Sequence, residues 1–250
     1  MKPAPFDYHS PTTLGDALHL LANLPDAKVL AGGQSLIPLL NFRLASPAHL
    51  VDINRIAELT GINERDGGIA IGAGVRQADA ERHPLVHRLC PLLPLALHNV
   101  AHPVIRNRGT VVGSLAHCDP AAELPAVLLA LGGHVVARSA RGERRIAAAD
   151  LFRGAMDAAM EPDELLTEAW FPTTGGRVAL VEECRRHGDF ALVGVARAGE
   201  RLALFGVAPT AVLADPSDPT RGLTPSTDLE ASPEFRLHLV EVLVARALAA

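Results

Sequence analysis

The chain has 250 residues, 48% of them hydrophobic and 20% charged, with a net charge of −5; this balance describes a soluble globular chain of one large or two smaller domains. There is no basic block to attract nucleic acid and no apolar run of membrane-spanning length. Met1 to Pro5 lack a signal-peptide core, so a cytoplasmic location is expected, and Cys90, Cys118 and Cys184 are too far apart to encode a disulfide framework, a zinc site or an iron–sulfur site.

In chain order, Ser10-Pro11 ahead of Leu14, Ala17, Leu18 and Leu21 predicts a capped amphipathic helix ending near Pro25. Lys28 to Ala31 reads as a strand, and Ile37 to Leu40 as the first turn of a short helix in which Pro38 needs no N–H donor. Leu50 to Ile53 is another strand, so residues 6–55 form a small α/β unit. Thr60 to Gly74 predicts a hairpin about Asp66-Gly67-Gly68. Gln77 to Val100 has a helical pattern cut by Pro84, Pro91 and Pro94, and Arg106 to Ser114 reads as a turn-rich segment.

Asp119-Pro120 is expected to open a helix from Ala121 to Leu131, with Asp119 as its N-cap and Glu123 in its first turn. Val135–Ala137 and Arg145-Ile146 are strands about the turn Ala140–Gly142, and Leu165 to Phe171 is the strand that closes this region. Thr173–Gly176 is a linker. Val178–Cys184, Ala191–Ala196 and Leu202–Val207 then form a three-stranded antiparallel meander. Pro209 to Pro233 reads as an exposed loop before an amphipathic helix carrying Leu237, Leu239, Val240, Val242, Leu243 and Leu248.

Two stretches carry chemistry. The first, Ala31-Gly32-Gly33-Gln34-Ser35-Leu36, is either a tight strand-to-helix turn or a cradle whose N–H groups meet an anion such as phosphate. The second, His102 to Pro125, combines glycines, hydroxyls and two guanidiniums. Both together resemble the FAD-binding subunit of molybdenum hydroxylases, the group that includes the medium subunit of carbon monoxide dehydrogenase and the FAD domain of xanthine dehydrogenase. Ala31–Leu36 with Pro38 matches the family's AGG-x-S/D-L-x-P signature. Arg106, Asn107, Gly109, Thr110, Gly113 and Ser114 match R-N-x-G-T-x-G-G-S/N, and Ala116–Ala126 follows with almost no break. Arg186–Ala191 matches R-x-G-D-F-A.

The resemblance implies an α+β architecture: a two-lobed PCMH-type FAD-binding domain over 1–176, with lobes at about 1–55 and 56–176. A small C-terminal domain of three antiparallel strands and a helix would follow over 177–250. It implies non-covalent FAD held by Ala31, Gly32, Gly33, Gln34, Ser35, Leu36, Val100, Thr110, Gly113, Ser114, Asp119, Glu123, Leu165 and Leu166, with no catalytic side chain and no metal ligand. Molybdopterin and [2Fe-2S] clusters are expected in a large and a small partner subunit. Three positions depart from the pattern: Val112 replaces the first glycine of a GG pair, Val104 stands where many members have glutamine, and Val181-Glu182-Glu183 lies where relatives often carry a cofactor-contacting lysine.

Several residues keep a plainer reading beside these roles. His102 and His117 have no metal-ligand spacing, and His117 fits a hydrogen-bonding turn residue. Asp119 is a helix cap or a ribose contact, while Arg106 and Arg108 pair with phosphate, a partner carboxylate, or nothing. Cys118 reads as a small buried residue, and Asp189-Phe190 as a turn with a core-filling ring. A valine at Gly33 is expected to obstruct phosphate more than it harms the fold. The leading functional reading is an electron-transfer subunit; the others are a stand-alone flavoenzyme acting on a small organic substrate and a scaffold that has lost its flavin. Arg106–Arg108 and residues 177–250 are the surfaces expected to meet a partner.

Overall fold

The computed structural model describes residues 1–250, and its strands sort into three sheets and one short ribbon. The first sheet is parallel, in the order β1–β3–β2, built from β1 (Asp7–His9), β2 (Ala27–Leu30) and β3 (His49–Asp52). Parallel neighbours need crossovers, which α1 (Leu14–Asn23) and α2 (Leu36–Asn41) supply. The buried face of α1 is Leu14, Ala17 and Leu21, as their spacing predicts. Its cap is Thr13 rather than Ser10: the Asp16 N–H donates to the Thr13 hydroxyl oxygen at 3.1 Å, and that hydroxyl donates to the Asp16 carboxylate at 2.7 Å. Ser10 lies too far ahead of Leu14 to make such a bond.

The second sheet is antiparallel. Its strands are β4 (Ile62–Arg65), β5 (Gly68–Gly72), β6 (His134–Ser139) and β7 (Gly142–Ala147), and after the ribbon of β8 (Phe152–Gly154) and β9 (Asp157–Ala158) comes β10 (Leu165–Pro172). The order β4–β5–β10–β6–β7 puts β10 in the centre, so the closing strand inserts between two hairpins. The chain between β5 and β6 is helical. Prolines divide it into α3 (Gln77–Arg82), α4 (Pro84–Leu89) and α5 (Leu92–Asn99), followed by α6 (Pro103–Arg106), α7 (Val111–His117) and α8 (Glu123–Leu131); α9 (Ala148–Leu151) follows β7. The stretch expected to be turn-rich therefore contains two short helices. Glycine and β-branched residues mask them locally, but burial of Val111, Val112 and Leu115, with α7 packed on β10, compensates.

Eight of the nine residues of α8 are buried, as suits a helix that is apolar all round. It packs against α5 and α7 and, on another side, against the third sheet. That sheet is an antiparallel meander of β11 (Val178–Glu183), β12 (Val193–Ala198), β13 (Arg201–Phe205) and β14 (Val212–Ala214). The fourth strand, beyond the three expected, lies within the stretch read as a loop, where Val212-Leu213-Ala214 is short and flanked by proline and aspartate. Alternation divides the sheet's two faces. Ala196, Ala203 and Phe205 join the larger core of 43 residues, in which α8 lies, whereas Val193, Val195, Leu202 and Leu204 join a core of 13 residues with α10 (Pro233–Ala249). Phe190 fills neither core: its ring is 68% exposed.

Leu128 is fully buried in α8, between elements of the second and third sheets. Leu128→Ala is expected to cost about 2–5 kcal/mol, measured by chemical denaturation of the full chain; a loss within experimental error would mean that α8 is not the shared wall of the core.

Candidate functional site

The first loop leaves β2 at Leu30 and enters α2 at Leu36. Gly33 has φ +75°, a region that L side chains rarely adopt. A Cβ there would lie 3.1 Å from Ile37 Cγ1 and 3.3 Å from Leu30 Cδ1. Valine at 33 would thus strain and crowd the turn itself, so a loss of fold stability would accompany any obstruction of phosphate. The Gly33 carbonyl accepts the Ile37 N–H at 3.0 Å and the Gly32 carbonyl accepts Gln34 Nε2 at 3.2 Å. In contrast, the N–H groups of Gly32, Gly33, Gln34 and Ser35 donate to no protein acceptor. Ser35 is exposed and makes no side-chain cap.

The second loop meets the first. A Cβ on Gly32 would stand 2.4 Å from the Arg108 carbonyl oxygen and 2.7 Å from Gly109 Cα, and one on Gly109 would stand 2.6 Å from Gln77 Oε1. Gly32 is required by this close approach, and Gly109 by the buried Gln77 side chain beside it. Thr110 caps α7, its hydroxyl oxygen accepting the Gly113 N–H at 3.0 Å; its own hydroxyl hydrogen is left to donate. The site of a Cβ on Gly113 is 3.9 Å from Ala31 Cβ, so the start of α7 and the end of β2 are neighbours. Ser114 is half-buried one residue further along α7. Leu165 and Leu166 are buried in β10, the strand beneath α7.

Other predicted residues are held differently. Val100 follows α5, and its carbonyl accepts Arg106 NH1 at 2.9 Å. Arg106 is buried, paired through Nε with Glu81 at 2.9 Å and bonded also to the Ala101 carbonyl at 3.1 Å. It is an internal strut, not the surface cation expected of that segment. Asp119 is not the cap of α8, since Ala122 holds that position; its carboxylate accepts the Ala121 N–H at 2.9 Å in a local turn. The extra residues between Asp119 and Glu123 move the helix start beyond its reach. Asp119 also lines a cavity of about 480 Å³ with Phe190, Leu192, Gly206 and Arg236, to which neither glycine loop contributes. His117 Nε2 lies 4.0 Å from Asp119 Oδ2. Cys118 is buried with a left-handed backbone, its thiol directed at the Asp157 carbonyl at 3.4 Å and pushed up to about 11, mainly by burial; it serves packing, not thiolate chemistry.

Glu123 is the first residue of α8 and only 8% exposed. Burial pushes its carboxyl up to about 8, helped by the charges of Glu182 and Asp119. Glu182, on β11, is pushed up to about 7 by burial, and its Oε2 has no hydrogen-bond partner. The sequence reading noted Glu182 only as a departure and passed over Asn54, Arg76 and Gln77, whose contacts with the loops arise from tertiary proximity.

Two glycine loops joined at their backbones, one of them offering four unclaimed N–H groups, define a protein that binds a phosphate-containing cofactor. Residues 4–174 match the model of the FAD binding domain in molybdopterin dehydrogenase, and the chain belongs to that family, with FAD as its cofactor. It is 38% identical to the 6-hydroxypseudooxynicotine dehydrogenase complex subunit alpha of Paenarthrobacter nicotinovorans, over 100% of this chain and 95% of the relative. Caffeine dehydrogenase subunit beta of Pseudomonas sp. (strain CBB1) is 44% identical over 78% of this chain and 68% of its own. The structure of carbon monoxide dehydrogenase from Hydrogenophaga pseudoflava lacking the Mo-pyranopterin moiety of its cofactor superposes with a TM-score of 0.95 at 35% identity, covering 100% of this chain and 98% of that one. The mixed α+β fold read from the sequence is the fold of that family. The residues present fit FAD: free N–H donors and missing Cβ atoms at the first loop are what a pyrophosphate requires.

Glu123 and Glu182 hold protons in the folded state above the pH at which an unfolded carboxyl releases them. Folded protein therefore binds more protons than unfolded protein from about pH 4.5 to about 8, and stability falls as pH rises through that window. Thermal unfolding of the FAD-free chain should show this decline, and Glu182→Gln should flatten it. An unchanged slope in that variant would contradict the assignment.

Proposed function

We propose that this chain is the electron-transfer subunit of a molybdopterin-dependent hydroxylase. It receives electrons from iron–sulfur clusters of a small partner subunit, after oxidation of a substrate in a molybdopterin-binding large subunit, and delivers them to an external acceptor. The observation that carries the reading is the junction of the two glycine loops in a chain whose relatives are named as subunits of dehydrogenase complexes. In this reading Ala31 to Leu36 hold the pyrophosphate through their N–H groups. Thr110, Gly113 and Ser114 extend that cradle, Asp119 and Glu123 supply polar contacts, and Val100, Leu165 and Leu166 supply apolar ones. FAD, when bound, supplies the redox chemistry, and the chain supplies position and electrostatics. Residues 1–176 form the FAD-binding domain, with lobes at 1–55 and 56–176, and 177–250 form the C-terminal domain. No helix is long and apolar enough to cross a membrane.

The cofactor is expected to be non-covalent FAD: denaturing the purified chain should release it to the supernatant, whereas flavin retained by the precipitate, or FMN in place of FAD, would contradict this. Co-expression with adjacent genes for iron–sulfur and molybdopterin subunits, then size-exclusion chromatography, should yield one heteromeric peak. A chain eluting alone with full turnover of a small organic substrate would establish the stand-alone flavoenzyme instead.

A further inference from the structure

Between the two glycine loops lies a polar chain contributed by neither. Asn54, just beyond β3, donates through Nδ2 to the Ala31 carbonyl at 2.9 Å and to Asp52 Oδ1 at 2.5 Å. Asp52 Oδ1 also accepts the Asn54 N–H at 2.8 Å, and its other oxygen accepts the Tyr8 hydroxyl at 2.5 Å. On the far side, Asn54 Oδ1 accepts Arg76 NH2 at 2.6 Å, while Arg76 NH1 donates to the Arg108 carbonyl at 2.7 Å. The amide orientation follows from this network, because a flipped Asn54 would turn its NH2 toward a guanidinium that has only donors.

The backbone adds a second attachment. Arg76 pairs with Thr110 in an isolated antiparallel bridge, the Gln77 N–H donating to the Gly109 carbonyl at 2.8 Å and the Val111 N–H to the Val75 carbonyl at 3.3 Å. Residues 75–77 thus carry the second loop, and the Arg76 side chain reaches from there to Asn54, which holds the end of β2 before the first loop. The Arg108 carbonyl that Arg76 grips is the atom against which Gly32 packs.

From this geometry we infer that Arg76 and Asn54 are positioning residues for FAD: a planar guanidinium and one amide set the spacing of the two glycine loops. This rests on the proposed assignment of both loops to the cofactor. The requirement is for a fork. Arg76 donates from two nitrogens to acceptors on different segments, and a lysine offers one point charge with no such planar arrangement. Both residues touch loop backbone and make no contact of their own with a reacting group, so their effect should be on affinity.

The test is titration of the FAD-free full chain with FAD, following quenching of flavin fluorescence, together with thermal unfolding with and without FAD. Arg76→Met and Asn54→Ala should each raise the Kd for FAD about tenfold or more, the scale of a lost charge-assisted hydrogen bond. Arg76→Lys should fail to restore it, and the double variant should be little worse than the poorer single one, because one chain of bonds is broken in each case. The FAD-induced rise in Tm should shrink more than the Tm of the FAD-free protein falls. Wild-type Kd in Arg76→Lys, additive losses in the double variant, or equal falls in Tm with and without FAD would each overturn the inference. If Arg76→Met does not fold, Arg76→Lys, which keeps stem and charge, decides the matter alone. Failure of the wild-type chain to bind FAD would instead refute the loop assignment.

Discussion

The site depends on one contact: the backbone of Gly32 lies against the Arg108 carbonyl and Gly109, closer than any side chain allows. Segments more than seventy residues apart meet there, so neither loop is a site by itself. The first loop is directed by the end of a parallel strand, where β2 stops and its N–H groups no longer have a ladder partner. The second is held by its short pairing with residues 75–77 and by the cap that Thr110 places on α7. Gly109 and Gly113 are kept small by local neighbours, one by Gln77 and the other by the capping Thr110 Oγ1, which a Cβ on Gly113 would meet at 2.5 Å.

The third sheet contributes through the two faces of one layer. Small residues, Gly194, Ala196 and Ala203, face the larger core, where Phe205 fills the space that Gly194 leaves. Branched residues on the opposite face pack on α10. Arg201 ties the sheet to the end of α8, its NH2 donating to the Leu129 carbonyl at 2.9 Å, where a cation also suits the helix dipole. Close docking of this sheet buries Glu182 as well as Glu123. Burying acids in this way costs stability, and that cost is borne by the same layer that closes on α8.

Much of this was legible in the sequence because it is local. The Gly-Gly turn, the prolines that divide α3 to α5, the Asp66-Gly67 hairpin and the C-terminal meander are short-range patterns, and the two loop motifs are specific when taken together. What was missed is tertiary. The capping bond that Thr110 makes to Gly113 is visible only in the fold, and Arg106 looks like a surface cation until Glu81 and two carbonyls surround it. Asn54 and Arg76 belong to no motif, being twenty-two residues apart and joined only by folding. Phe190 fails for the opposite reason, since a phenylalanine in sequence predicts burial and only the fold leaves its ring outside.

The exposed Phe190 and the internal Arg106 together change where a partner would meet this chain. A guanidinium whose Nε and NH1 are bonded to a carboxylate and two carbonyls, on a side chain buried in the fold, is committed to its own loop, and freeing it would leave buried acceptors unsatisfied. The accessible groups near it are Arg108, which is exposed, and Val104, 72% exposed. Phe190 borders the cavity between the approach to α8 and the third sheet, and a large exposed ring at such a junction has apolar surface to bury. The ring of Phe190 is therefore an apolar surface left accessible here, whereas the arginine most prominent in the sequence is committed to holding its own loop.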